Sequence, residues 1–311
     1  MKDTILFGDC RETLKEFTGK VRMCVTSPPY YGLRDYGGED NQIGQEQSPE
    51  EYIETMVDVF RSVRDVLTDD GTLWLNIGDS YYNYRPGKGQ ALNKQSVSNT
   101  KQDLPDECPR RGNKLEGLKE KDLIGIPWML AFALRADGWY LRQDIIWHKP
   151  NPMPESVRDR CTKAHEYIFL LSKSKYYHYD NEAIKEPVKQ DWGTRNRTNG
   201  KYHNPGTGLQ PHSGLTKSYT KRNKRSVWSV NKKPYKGAHF ATYPEELIQP
   251  CILAGSEKND IILDPFMGSG TTAVVAKSLG RHYIGCELHE DYGKLIQKRL
   301  NSKSFAKLEL V

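Results

Sequence analysis

Apolar positions along this chain alternate between two spacings. Short apolar runs at Thr4-Ile5-Leu6-Phe7, Val21 to Thr26, Thr72 to Ile77, Trp139 to Trp147, Glu166 to Lys173, Ile261-Ile262-Leu263 and His282 to Cys286 predict strands. The run Tyr167-Ile168-Phe169-Leu170-Leu171 is of the continuous kind. Tyr52, Met56, Val59, Phe60, Val63 and Leu67 instead recur at helical spacing. Ser48 is placed to cap that helix, with Pro49 in its first position and Glu50 and Glu51 in its first turn. Asp69-Asp70-Gly71 should end it. Further helices are expected over Asp122 to Asp137, Pro244 to Ala254, Thr271 to Leu279 with Gly280 as its cap, and Asp291 to Leu300. Strands alternating with helices predict an α/β fold with a largely parallel sheet.

Two stretches follow neither period. Residues 81 to 121 are polar and rich in Gly, Asn, Gln, Lys and Pro, and read as a long loop. The stretch from about Val188 to Lys236 is basic and interleaved with Trp192, Tyr202, Tyr219, Trp228 and Tyr235. From Lys189 to Lys236 there are twelve Lys and Arg against one acid, Asp191, so the segment carries +11 while the 311-residue chain carries only +6. A basic segment on a mildly acidic body points to a polyanion, nucleic acid above all. The six cysteines form no CxxC pair, which suggests neither a zinc site nor a disulfide framework. No signal-like start and no apolar run near membrane-spanning length occurs, so a cytoplasmic protein with reduced thiols is expected.

The chemistry concentrates where predicted strands end. Thr26-Ser27-Pro28-Pro29-Tyr30 follows the second run. It joins a hydroxyl, two stiff prolines and a flat ring, as a pocket for a planar base and its amino group would require. Far downstream, Asp264-Pro265-Phe266-Met267-Gly268-Ser269-Gly270-Thr271-Thr272 links a strand to a helix, and Glu287 closes the next strand. Gly268 and Gly270 let a turn approach a ligand closely, and an acid in the position of Glu287 suits ribose hydroxyls. Neither G-x-G-x-x-G nor Gly-Lys-Ser/Thr is present. Asp264 repels phosphate and favours a cationic ligand. His165-Glu166 is not a zinc-protease motif, because position 169 is Phe. Cys251, although preceded by Pro250, lies in an apolar helical run and reads as core.

These two motifs in this order resemble the amino-group DNA methyltransferases of the β arrangement, in which the catalytic motif precedes a target-recognition region and the cofactor motif comes last. Gly8-Asp9, Gly237 to Pro244 and Gly285-Cys286-Glu287 resemble further segments of that family, in order. The resemblance implies a Rossmann-like sheet that uses S-adenosylmethionine and carries an inserted basic target-recognition region. It divides the chain into a catalytic half (1–150), a recognition region (151–236, with core elements near 166–173) and a cofactor half (237–311). It implies Ser27, Pro28, Pro29 and Tyr30 as catalytic residues. Asp9, Thr26, His239, Ala241, Thr242, Asp264, Pro265, Phe266, Gly268, Ser269, Gly270, Thr271, Thr272 and Glu287 are the implied cofactor residues. Double-stranded DNA is the implied partner, with Arg195, Arg197, Arg222 and Arg225 as candidate contacts and a cognate restriction endonuclease as a companion. Methyl transfer to an extruded base needs no covalent intermediate. In that family Ser at the position of Ser27 goes mostly with cytosine N4, and Asp or Asn with adenine N6, so cytosine is favoured and adenine is the alternative, ahead of an RNA methyltransferase or a catalytically silent DNA-binding protein.

Overall fold

The computed structural model describes residues 1–32, 42–82, 115, 117–188, 220–232 and 243–302. Ten strands and six helices occur among them. In chain order they are β1 (Thr4–Phe7), α1 (Cys10–Glu16), β2 (Val21–Thr26), α2 (Pro49–Val66), β3 (Leu67–Ile77), α3 (Ile126–Ala136), β4 (Tyr140–His148), β5 (His165–Ser172), β6 (Glu186–Pro187), β7 (Lys221–Arg222), β8 (Val227–Ser229), α4 (Glu245–Gly255), β9 (Ile261–Asp264), α5 (Thr271–Ser278), β10 (His282–Glu287) and α6 (Asp291–Ser302). Eight strands form one sheet in the order β1-β10-β9-β2-β3-β5-β4-β8, and β6 and β7 form a separate pair.

The first five strands of that order are mutually parallel. β5 runs antiparallel to both β3 and β4. Both faces of the sheet are covered, which is why its central strands read as continuous apolar runs. Leu14 of α1, the buried side of α2 and Leu130 and Leu134 of α3 pack on one face. Leu247 and Ile252 of α4, Val274 and Val275 of α5 and Ile296 of α6 pack on the other.

Most elements lie where the apolar pattern puts them, and the departures have physical causes. α2 is capped as expected, with Glu51 N donating to the Ser48 hydroxyl, but it stops at Val66. Leu67 turns directly into β3 and is fully buried there, so the aspartates expected to end the helix lie inside a strand. Asp70 is held in that strand by Arg22 of β2 at 2.5 Å, and Arg22 also bonds Asp260 at 3.1 Å. α3 starts four residues later than its pattern suggests. The Asp79 carboxylate accepts hydrogen bonds from Gly125 N and Ile126 N, and Pro127 sits in the first turn. Residues 122–125 instead tie down the ends of the long loop, through Tyr82 N to Asp122 O and Lys121 N to Tyr82 O. The pattern missed α1, which is seven residues long and buries only Cys10 and Leu14. It also missed β6, β7 and β8, each too short to show a period.

β2 pairs with β9 through Met23↔Ile262 and Cys24↔Leu263, which joins segments more than 200 residues apart in the sequence. At this junction the strand order reverses, and in open α/β sheets a crevice for ligands lies beyond the carboxyl ends of the strands at such a point. The motif loops all leave from those ends.

Candidate active site

Thr26 and Asp264 end the adjacent strands β2 and β9 and are bonded to each other, Thr26 Oγ1 donating to Asp264 Oδ1 at 2.6 Å. The same oxygen accepts Phe266 N at 3.0 Å. Asp264 Oδ2 accepts the Tyr243 hydroxyl at 3.0 Å and the Thr272 hydroxyl at 2.5 Å. A carboxylate offers about four lone-pair sites, so the chain itself fills Asp264. The aspartate is fully buried, and burial pushes its pKa up although all four donors pull it down.

Glu287 ends β10 beside the turn between β9 and α5. Its Oε2 accepts Gly268 N at 2.8 Å and its Oε1 accepts His289 N at 3.1 Å, so half of its roughly four acceptor sites are used. Burial raises its pKa as well. Gly268 has φ +52, and a Cβ there would face open space with only Phe266 O at 3.9 Å. The turn backbone is therefore bare toward the crevice. Gly270 has φ +80 and caps α5 against Ile296, where a Cβ would come within 2.9 Å of Ile296 Cγ2. Asp9 follows β1, accepts Arg11 N at 2.8 Å as the cap of α1, and pairs with the Arg11 guanidinium at 2.5 Å.

The turn is clamped from outside by Arg299 of α6. Its Nη1 donates to Ser269 O at 2.8 Å, Ser269 Oγ at 2.7 Å and Thr271 Oγ1 at 3.1 Å. Pro265 and Phe266 open the turn, and Phe266 packs against the core formed with α1–α3.

Ser27, Pro28, Pro29 and Tyr30 leave the carboxyl end of β2. Pro28 is buried, and the Pro29 carbonyl accepts the Tyr52 hydroxyl of α2 at 2.8 Å. Ser27 itself is half-buried. The Tyr30 hydroxyl donates to Glu166 Oε2 of β5 at 2.8 Å. Burial first, and then the Glu166 charge, raise the phenol pKa well above its ordinary value. Beside Tyr30 a small cleft is lined by Tyr30, Tyr31, Gly78, Asp79, Ser80 and Ile126.

Nearly all the described site residues thus come together at one sheet edge. Arg222 and Arg225 lie elsewhere, flanking Glu186 of β6 at 3.6 Å and 3.8 Å, so part of their charge is answered within the chain. Arg195, Arg197, His239, Ala241 and Thr242 fall outside the described residues. Cys251 is buried in α4, where its thiol faces Leu247 O at 3.7 Å. Sequence reasoning overlooked Arg299, Tyr243, Lys149 and Glu166 as site residues. Glu166 did leave a sign, as an acid at the head of an apolar strand.

Fold and site define an α/β enzyme with a ligand crevice where β2 and β9 meet. The model of the N6/N4 family, described as DNA methylase, matches residues 21–298. Type II methyltransferase M.SmaI of Serratia marcescens is 47% identical over 297 residues, covering 95% of this chain and 90% of that protein. Type II methyltransferase M.Cfr9I of Citrobacter freundii is 47% identical over 301 residues, covering 96% and 88%. Among solved structures, the PvuII DNA methyltransferase (cytosine-N4-specific) superposes with a TM-score of 0.63 at 17% identity, over 98% of this chain and 89% of that one. A putative DNA modification methylase from Thermus thermophilus, solved with S-adenosyl-L-methionine, gives 0.57 at 21% identity over 95% and 92%. This chain belongs to the N6/N4 DNA methylase family.

Proposed function

We propose that this protein transfers a methyl group from S-adenosylmethionine to the exocyclic N4 of cytosine in double-stranded DNA. The observation that carries this reading is the placement of Ser27. It leaves the end of β2 beside the Thr26–Asp264 junction with the turn and three residues before Tyr30, which lines the cleft.

The residues of the crevice fit the cofactor. Two acceptor sites of Glu287 are left for a pair of ribose hydroxyls, and the bare backbone at Gly268 allows close approach. Glu287, with acceptor sites still open, makes the crevice acidic beside the turn, which suits a cationic cofactor and disfavours phosphate. Asp264 serves by holding Thr26, the turn and Tyr243 in one arrangement. Pro265, Phe266, Ser269, Gly270, Thr271 and Thr272 shape the turn, and His239, Ala241 and Thr242 complete the cofactor half. S-adenosylmethionine supplies a methyl group activated on sulfur.

The chain's own residues act on the base. An exocyclic amino nitrogen has its lone pair delocalised into the ring and attacks well only once it is pyramidal. The Ser27 hydroxyl and the Pro28 carbonyl accept its two N–H groups and favour that form in the transition state. Tyr30 offers its ring to the extruded base, and the cleft beside it receives the base. With the cofactor bound, its methyl carbon would pass to the amino nitrogen, the carbon–sulfur electron pair staying on sulfur and one amino proton passing to solvent.

The catalytic half spans 1–150, the recognition region 151–236 and the cofactor half 237–311, with β5 contributed to the sheet from within the recognition region. Lys and Arg of 189–236, Arg195, Arg197, Arg222 and Arg225 among them, answer phosphates and read base edges. The relatives are called Type II methyltransferases, which supports a cognate restriction endonuclease as companion and work in the cytoplasm. Among the described residues no helix is long and apolar enough to cross a membrane.

The test is nucleoside mass spectrometry of unmodified genomic DNA after incubation with the protein and S-adenosylmethionine. N4-methylcytosine is expected. N6-methyladenine in its place would reassign the base.

A further inference from the structure

The methyl-transfer chemistry above makes no use of the most deeply buried ion pair near the site. Because β5 runs antiparallel to β3, its first residues reach the same sheet edge as the last residues of the parallel strands, with Ile77 opposite Tyr167. Glu166 is thereby brought to the base of the catalytic loop. Its Oε2 takes the Tyr30 hydroxyl at 2.8 Å and also faces Asn76 Nδ2 at 3.5 Å. Its Oε1 takes the Lys149 ammonium. Lys149 follows β4, is 5% exposed, and lies 4.2 Å above the Trp147 ring. Gly78 makes the meeting possible, because a Cβ there would stand 2.7 Å from Tyr30 Cε2 and 3.3 Å from Glu166 Cγ.

An ion pair this dry contributes little net stability, because desolvating both charges offsets their attraction. What it fixes is direction. A carboxylate has no proton and must accept, so the Tyr30 hydroxyl donates toward Glu166. Held by that bond, and with Gly78 leaving room behind it, the Tyr30 ring keeps one orientation beside the cleft.

We propose that Glu166, anchored by Lys149, is a positioning residue of the base site: it holds the Tyr30 hydroxyl and so fixes the orientation of the ring beside the cleft that receives the base. The inference rests on the amino-methyltransfer reading but holds for either base. Burial keeps the Tyr30 phenol protonated, and therefore donating, throughout the neutral range.

The test compares wild type with Glu166→Gln, Tyr30→Phe, both together, and Glu166→Gln with Lys149→Met. Tritiated methyl transfer to unmodified genomic DNA gives the rate, calorimetry gives S-adenosylmethionine affinity, and denaturant melts give stability. Glu166→Gln is expected to slow transfer about ten- to a hundredfold, the worth of one charged hydrogen bond, with cofactor affinity unchanged. Tyr30→Phe and Glu166→Gln together should cost less than the product of their separate effects. The Glu166→Gln, Lys149→Met pair, which removes the orphaned ammonium, should regain stability but not rate. Full rate in Glu166→Gln, multiplicative losses, or a rate that recovers together with stability would each overturn the proposal. A wild-type chain that binds the cofactor but transfers nothing to DNA would sink the parent reading and this one with it.

Discussion

Thr26 and Ser27 are neighbours in the sequence and both carry hydroxyls, but the one bonded to Asp264 within the fold is that of Thr26. Thr26→Val swaps a hydroxyl for a methyl of similar size at a position with no exposed surface. It removes one of the four donors on Asp264, a 2.6 Å bond to a fully buried carboxylate. A hydrogen bond to a charged group is worth about 1.5–3 kcal/mol. Three donors remain and the methyl regains some apolar burial, so a loss of about 2 kcal/mol is expected. Ser27→Ala removes a half-buried hydroxyl and leaves the Tyr30 bond to Glu166 in place. Its stability should stay within about 0.5 kcal/mol of wild type, whereas methyl transfer should fall by about a hundredfold, the usual cost of losing one transition-state hydrogen bond. Urea melts and transfer rates at saturating S-adenosylmethionine measure both quantities. If Thr26→Val proves as stable as wild type, the Asp264 hub is not what holds β2 to the turn. If Ser27→Ala loses stability and rate together, its hydroxyl is structural.

Glu287→Gln should weaken S-adenosylmethionine binding about tenfold and flatten its pH dependence, as read by calorimetry. Burial raises the Glu287 pKa, so the free fold favours the protonated acid and its ionised form costs stability at neutral pH. Ribose hydroxyls favour the anion, so wild-type affinity should fall as pH drops through that raised pKa. Arg299→Met leaves Ser269 and Thr271 without their clamp and should cost about 2 kcal/mol or more, with faster hydrogen exchange at Gly268 to Thr272. Gly285→Ala would set a Cβ 2.9 Å from Ile5 Cδ1 and 3.0 Å from Met267 Cβ. Overpacking of this kind costs about 1–3 kcal/mol, and a shifted Met267 should also weaken cofactor binding in the same calorimetric assay.

The long periodic elements and the motif loops were legible because local sequence decides them. Ser48-Pro49-Glu50-Glu51 starts a helix wherever it is put, and Gly268 and Gly270 announce a turn. The edge at which the motifs meet followed from strand polarity alone. What stayed hidden depends on partners distant in the sequence. Nothing near Leu67 says that burial in the sheet will cut α2 short. Nothing near Glu166 says that an antiparallel strand will deliver it to Tyr30, or that Lys149 will lie beneath it. Asp264 was read as a charge facing a ligand. Only the fold shows that Thr26, Tyr243, Phe266 and Thr272 fill it from within.

The pairing of β1 with β10 also has a consequence for how the protein comes into being. Phe7 lies opposite Glu287, and β1 sits at the sheet edge with no other partner strand among the described residues. At about 5–20 residues per second of synthesis, the first strand waits on the order of tens of seconds on the ribosome before its neighbour emerges. Through most of that interval the nascent chain carries its Ser-Pro-Pro-Tyr loop but lacks β9, β10 and the turn that leads into α5. The waiting strand is four residues long, too short to be an effective template for pairing with other nascent chains.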